Sequence, residues 1–172
     1  PQARYMLAKV SPDDFSNAAH PFGTMREIEI GMGLARAHRV TYVGELGWEL
    51  YVSADQTAHV FEALEEAGAE VGLTLCGLHT LDSCRIEKAY RHWGHDIGEE
   101  DTPYQAGLGF AVALDKPGGF IGHDALVRRK TEGAVARRMV QVRLKDTSHP
   151  PMMFHHEPIL YGGQIVGSIM SG

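Results

Sequence analysis

Cysteine is scarce in this chain: Cys76 and Cys84 are the only two in 172 residues. Neither sits in a CxxC spacing, so they read as reduced, small hydrophobic residues of a cytosolic-type compartment. No apolar run reaches the roughly 20 residues of a membrane-spanning helix, and no signal peptide opens the chain. Basic charge is in deficit. The net charge is −6, and no basic stripe with interleaved aromatics occurs, so neither nucleic acid nor a membrane is an expected partner. The one basic cluster, Arg128-Arg129-Lys130 with Arg137-Arg138, reads as a solvated helix end and turn. GxSxG, a Walker loop and a GxGxxG after a strand are all missing. Gly44-Glu-Leu-Gly47 and Gly107-Leu-Gly109 are too short for phosphate cradles and read as turns. There are ten histidines, but neither His92 with His95 nor His155 with His156 belongs to a recognisable ligand spacing, so no metal is expected. No nucleophile has an evident base partner.

What is present is a globular balance. Apolar residues make up 44% and charged residues 22%, enough for a sizeable core in one domain or a domain and a half. Helical spacing predicts a helix over 2–10. Alternation predicts strands over 24–30, 35–43 and 48–52. Ser53-Ala-Asp-Gln56 has the pattern of a capping box. The helix it opens carries Thr57, Val60, Phe61, Leu64 and Ala67 on one stripe and ends at Gly68. A short strand over 73–76, a helix over 77–89 and a helix over 121–131 follow. Residues 139–144 alternate. Strands over 157–161 and 164–170 are joined by Gly162-Gly163, a hairpin turn. Without a regular βαβ rhythm the expected class is α+β. A boundary is expected between 116 and 136, with an all-β module after it. The chain starts at Pro1 and stops just after an apolar strand, so a segment of a longer protein is expected.

Two segments carry candidate chemistry. Val40-Thr-Tyr-Val-Gly-Glu-Leu-Gly-Trp-Glu-Leu-Tyr51 reads as strand, Gly turn, strand, and puts Glu49 among apolar neighbours. A carboxylate pointing inward there is costly unless it finds donors. A pterin or guanine-like ring offers two side by side, a ring N–H and an exocyclic amine, which one carboxylate can accept together. The alternative is an outward-facing Glu on an edge strand. Leu81-Asp-Ser-Cys-Arg-Ile-Glu-Lys-Ala-Tyr90 puts Arg85 on one helix face with Asp82. Either the two form an ordinary i, i+3 pair, or Asp82 holds the guanidinium toward a ligand. A carboxylate and a guanidinium from two framework elements suit a flat, polar heterocycle.

These residues resemble the folate-binding aminomethyltransferase family, meaning the glycine-cleavage T-protein and its relatives fused to flavin-dependent dimethylglycine and sarcosine dehydrogenases. The resemblance runs over nearly the whole chain. It rests on the two segments above, on Gly94-His-Asp-Ile97, Asp101-Thr-Pro103, Gly107-Leu-Gly-Phe110 and Phe120-Ile-Gly-His-Asp-Ala-Leu126, and on Glu157-Pro-Ile-Leu160 and Gly167-Ser-Ile-Met-Ser-Gly172. Leu46, Trp48 and Arg91-His-Trp-Gly-His95 lean toward the dehydrogenase branch, and Ala89 stands where the pattern usually has Gly.

The resemblance implies that Glu49 binds the pterin ring of tetrahydrofolate, that Arg85 is a second ligand-binding position, and that Tyr42 lies beside the same pocket. It implies a mixed-sheet folate-binding region over 1–116, a connecting segment with a short helix over 117–135, and the start of a truncated β-barrel over 136–172. The family's catalytic Asp lies upstream of this segment, so no catalytic residue is assigned here and the chain alone should not turn over. The activity implied for the parent is transfer of a one-carbon unit from an N-methylated glycine (dimethylglycine or sarcosine) or an aminomethyl donor to tetrahydrofolate, giving methylene-tetrahydrofolate. FAD would sit in a separate upstream domain. The alternatives are a free-standing T-protein, a non-catalytic folate-binding regulator, or an interface piece without a ligand. The expected compartment is the cytoplasm, or the mitochondrial matrix in a eukaryote.

Overall fold

The computed structural model describes residues 2–133 and 135–172, which fall into two compact units, 1–90 and 91–172. The first unit is built on an antiparallel sheet of order β1-β2-β3, with β1 Met25–Ile30, β2 Gly33–His38 and β3 Glu49–Val52. Strand alternation divides its residues between two faces. Ile28, Ile30, Ala35 and Ala37 are buried on one face, where Leu50 and Val52 of β3 join them. The helices α1 (Ala3–Val10) and α2 (Thr57–Gly68) cover that face with Leu7 and Val60. The opposite face carries Glu27, Glu29, Leu34, Tyr51 and Glu49, all exposed.

Local chemistry sets the joints. Ile30 pairs with Gly33, so Gly31 and Met32 form a two-residue hairpin loop. Gly31 has φ +58° while Met32 does not share the left-handed region, the pattern of a type II′ turn with Gly at its first central position. His59 of α2 accepts the Met32 N–H at 2.9 Å and clamps this turn to the helix. The expected capping box does not form, because the Gln56 side chain accepts the Leu34 N–H of β2 at 2.8 Å instead of a helix N–H. The helix also runs through Gly68 in right-handed geometry into one 3-10 turn, Ala69–Val71, and the left-handed cap is Gly72.

Two expected strands are shorter or missing. β2 stops at His38 rather than running to 43, since the Val40 N–H turns back to the His38 carbonyl and the Arg39 N–H goes to Thr24. Residues 73–76 have no strand partner and run as irregular chain, with Cys76 exposed rather than packed. Helix α3 spans Leu78–Glu87, close to expectation.

In the second unit, α4 (His123–Glu132) forms as expected. The hairpin of β4 (Pro158–Tyr161) and β5 (Gln164–Ser168) forms around Gly162 and Gly163, both at positive φ. The expected barrel is not established. Among the described residues this hairpin is the only named β-structure after 136, and most of its residues are exposed. Residues 139–144 alternate but form no named strand among the described residues, and Val140 and Val142 stay exposed. The class that results is mixed helix with antiparallel sheet.

Candidate functional site

Glu49 opens β3, opposite His38 of β2. Strand parity sends Leu50 to the core, so Glu49 and Tyr51 share the open face. Of the two orientations that the sequence left open, the outward one is found: the carboxylate faces outward from an edge strand, where water rather than a buried donor solvates it. It is also oriented, because Oε2 accepts the Tyr51 hydroxyl at 2.8 Å. That hydrogen bond, and then the carboxylate's charge, raise the Tyr51 pKa above the usual tyrosine range. An ionised carboxylate has about four lone-pair sites, so one hydroxyl leaves it able to accept a further pair of donors. Tyr51 escaped the sequence reading, although an i, i+2 spacing on a strand already places it beside Glu49.

Arg85 lies on the last turn of α3 and is 2% exposed. Its Nε donates to Asp82 at 3.0 Å, the pairing read from the spacing, and its Nη1 donates to the Tyr90 carbonyl at 3.2 Å. The helix closes in a Schellman motif: the Tyr90 N–H reaches the Arg85 carbonyl, the Ala89 N–H reaches Ile86, and Ala89 sits at φ +56°. The Arg85 guanidinium thus braces the turn that its own carbonyl caps.

Tyr42 is half-buried in the loop before β3. That loop meets the end of α3. Gly44 lies so close to Lys88 that an added Cβ would sit 2.5 Å from its Cγ, and Lys88 pairs with Glu45 at 3.1 Å. The segments bearing Tyr42 and Arg85 are therefore in contact. Glu49 engages the Tyr51 hydroxyl, and Arg85 engages Asp82 and the Tyr90 carbonyl.

Behind β3 lies a buried polar group that no sequence signal pointed to. His20 is fully buried and Arg39 is 8% exposed. The Trp48 indole N–H donates to His20 Nδ1 at 3.3 Å, and Arg39 Nη1 donates to the His20 carbonyl at 2.7 Å. The Arg39 guanidinium lies 5.5 Å from the Trp48 ring, and Phe15 meets that ring edge-on at 5.4 Å.

In the second unit Asp96 is buried and accepts the His92 backbone N–H at 2.9 Å and the Ser171 hydroxyl. Ser171 and Asp96 both approach His95 at the same nitrogen, Nδ1, so the three do not form a relay that could activate the serine. Among the described residues no group of three or more His, Cys, Asp or Glu is arranged to hold a metal ion. Nor is any helix there long and apolar enough to cross a membrane. A surface depression is lined by Gly118, Gly119, Phe120, Gly122 and His123 and includes none of Glu49, Arg85 or Tyr42.

Comparison with known proteins shows what the chain is similar to. Residues 1–116 match the GCVT N-terminal domain. The chain is 47% identical over 172 residues to a 4-methylaminobutanoate oxidase (formaldehyde-forming) of Paenarthrobacter nicotinovorans, covering all of this chain and 20% of that protein. It is 39% identical to human mitochondrial sarcosine dehydrogenase, covering 98% of this chain and 18% of that protein. It is 36% identical to an aminomethyltransferase of Symbiobacterium thermophilum, covering all of this chain and 45% of that protein. The chain thus spans about a fifth of the oxidase and dehydrogenase relatives and under half of the aminomethyltransferase. With the family match running over 116 of the 172 residues, the chain belongs to the GCVT N-terminal domain family.

Proposed function

We propose that this chain is the tetrahydrofolate-binding portion of an aminomethyltransferase-type module. In its parent protein that module passes a one-carbon unit from an N-methylated glycine, such as dimethylglycine or sarcosine, to tetrahydrofolate, giving methylene-tetrahydrofolate. The observation that carries the reading is the open, Tyr51-oriented carboxylate of Glu49 in a chain of this family. Glu49 would accept the ring N–H and exocyclic amine of the pterin together, a paired contact that fixes orientation as well as strength. Arg85 and Tyr42 are the other ligand-binding positions of this reading. It is supported by the packing of the Tyr42 loop on the α3 turn. Bound tetrahydrofolate supplies the amine that accepts the one-carbon unit, and this chain's residues hold and orient it. The catalytic Asp and the FAD of a dehydrogenase-type parent belong to parts outside this chain. The compartment is the cytoplasm, or the mitochondrial matrix in a eukaryote.

The test is tetrahydrofolate binding by the full-length protein and its Glu49→Ala variant. Two charge-assisted hydrogen bonds, at about 1.5–3 kcal/mol each, predict a loss of at least about tenfold in affinity at an unchanged melting temperature. Equal affinity in the variant refutes the assignment of Glu49. A second reading, a free-standing aminomethyltransferase, is favoured by relatives of that name at 36% and 38% identity. The visible spectrum of the full-length protein decides between them: flavin absorption belongs to the dehydrogenase type and its absence to the free-standing type.

A further inference from the structure

We propose that His20 and Arg39 are positioning residues that act through Trp48 to set where Glu49 stands. This rests on the assignment of Glu49 to the folate. β3 is an edge strand, paired only with β2 from Ala35–Val52 to His38–Glu49. Four residue pairs on one side hold such a strand weakly against slippage, and a slip of one residue would turn Glu49 into the core. Trp48, the residue before it, is where the strand is pinned.

The pin has one chemical solution. An indole N–H only donates and a carbonyl only accepts. His20 receives the Trp48 N–H at Nδ1 and faces the Thr24 carbonyl with Nε2 at 3.3 Å, so the imidazole must carry its proton on Nε2. Full burial leaves the ring no alternative partner in water. Arg39 then lays its guanidinium over the indole face, where the ring quadrupole attracts it. No carboxylate pairs with Arg39 among the described residues, and its Nε–H has no partner there. A buried cation without a counter-ion is a costly way to fill a core, and apolar side chains of similar volume often stabilise more. The arrangement is therefore explained by geometry rather than stability. It fixes the tilt and depth of Trp48 on the core face, and strand parity then delivers Glu49 to the open face.

The experiment measures affinity for 5-formyltetrahydrofolate by titration calorimetry on the full-length protein. Trp48→Phe keeps an aromatic ring and removes the N–H. Affinity should fall about fivefold or more in the native background and no further when Glu49→Ala is already present. His20→Leu should match Trp48→Phe, while His20→Asn, whose amide oxygen can replace Nδ1 as acceptor, should bind within about twofold of native. A merely structural role would weaken binding equally with and without Glu49, and that result overturns the inference. Native affinity in both Trp48→Phe and His20→Leu, with Glu49→Ala weakened, also overturns it and leaves the folate assignment standing. Native affinity in Glu49→Ala removes the folate assignment and this inference with it. Should Trp48→Phe not fold, Arg39→Lys, which keeps the charge and loses the planar guanidinium that bonds the His20 carbonyl, takes its place with the same two expectations.

Discussion

Replacing Ala89 with Gly should stabilise the protein. Ala89 is the C′ residue of the Schellman motif that ends α3, and its φ of +56° is left-handed. An L residue pays for that conformation through the approach of its Cβ to the following carbonyl, at about 1–2 kcal/mol. Glycine avoids the contact but is freer in the unfolded chain, which offsets about 0.4–1 kcal/mol of the gain. The net expectation is about 0.5–1 kcal/mol of added stability. With a urea dependence of about 1–3 kcal/mol per molar, this is a rise of about 0.2–1 M in the denaturation midpoint at unchanged slope. Hydrogen exchange should localise the effect. The Tyr90 N–H bonds the Arg85 carbonyl at 2.9 Å across this cap, so its protection should rise with the midpoint. A β-branched replacement, Ala89→Val, should move both readings the other way, because it crowds the same carbonyl further. An unchanged or lower midpoint in Ala89→Gly would refute the reasoning. It would mean that the methyl group makes contacts worth more than the conformational cost.

Other expectations follow from burial and charge. Ile30 is fully buried between α1 and the sheet, so Ile30→Ala should cost about 2–5 kcal/mol in urea unfolding; a loss under 1 kcal/mol would mean that the site collapses around the gap. His123 bonds Asp124 at Nδ1 and the Leu114 carbonyl at Nε2, two acceptors that raise its pKa above the ordinary histidine value, Asp124 contributing most. The charged form is favoured by the fold. Its contribution is fully present below the unfolded value, near 6.5, and is lost as pH rises through the raised folded value. A proton NMR titration of His123 should give a midpoint above that of an unstructured histidine, and His123→Gln should flatten the pH dependence of amide protection in the first turn of α4.

The parts of this fold that local patterns specify were legible. The stripe on α2 and the alternation along 24–30 each report one face of one element, and Val60, Leu64, Ile28 and Ile30 pack inward as those patterns predict, while Phe61 of the stripe stays exposed. The Gly162-Gly163 hairpin needed only the two left-handed turn residues. The failures were all decisions about partners. Gln56 had a helix N–H and a strand N–H to choose between, and the strand N–H lay across 22 residues of sequence. Residues 73–76 and 139–144 have strand-like composition, but a strand exists only when another is beside it. The network of His20, Trp48 and Arg39 spans 28 residues and has no spacing rule at all.

Glu49 shows the same division most sharply. Alternation says that Glu49 and Leu50 face opposite sides, and it cannot say which side is the core. That is settled by Ile28, Ile30, Ala35 and Ala37, whose parity on β1 and β2 is carried to β3 by the register Ala37–Leu50. Once Leu50 is inward, the carboxylate must be outward, and its energetics change kind. A buried carboxylate would need donors merely to exist there. An exposed one is already hydrated, and a contact to it in open water is worth about 0–1 kcal/mol. The tenfold or larger effect expected of Glu49→Ala therefore requires that ligand and protein together exclude water from this face when folate binds. Salt separates the cases. A dry carboxylate–pterin contact should hold its affinity as ionic strength rises from 0.05 to about 0.5 M, whereas an open one is screened within a Debye length of about 4–14 Å over that range. A native-to-Glu49→Ala affinity ratio that stays large at every ionic strength marks a dry contact, one that collapses as salt rises marks an open contact, and a ratio near one throughout would show that the carboxylate is not part of the contact.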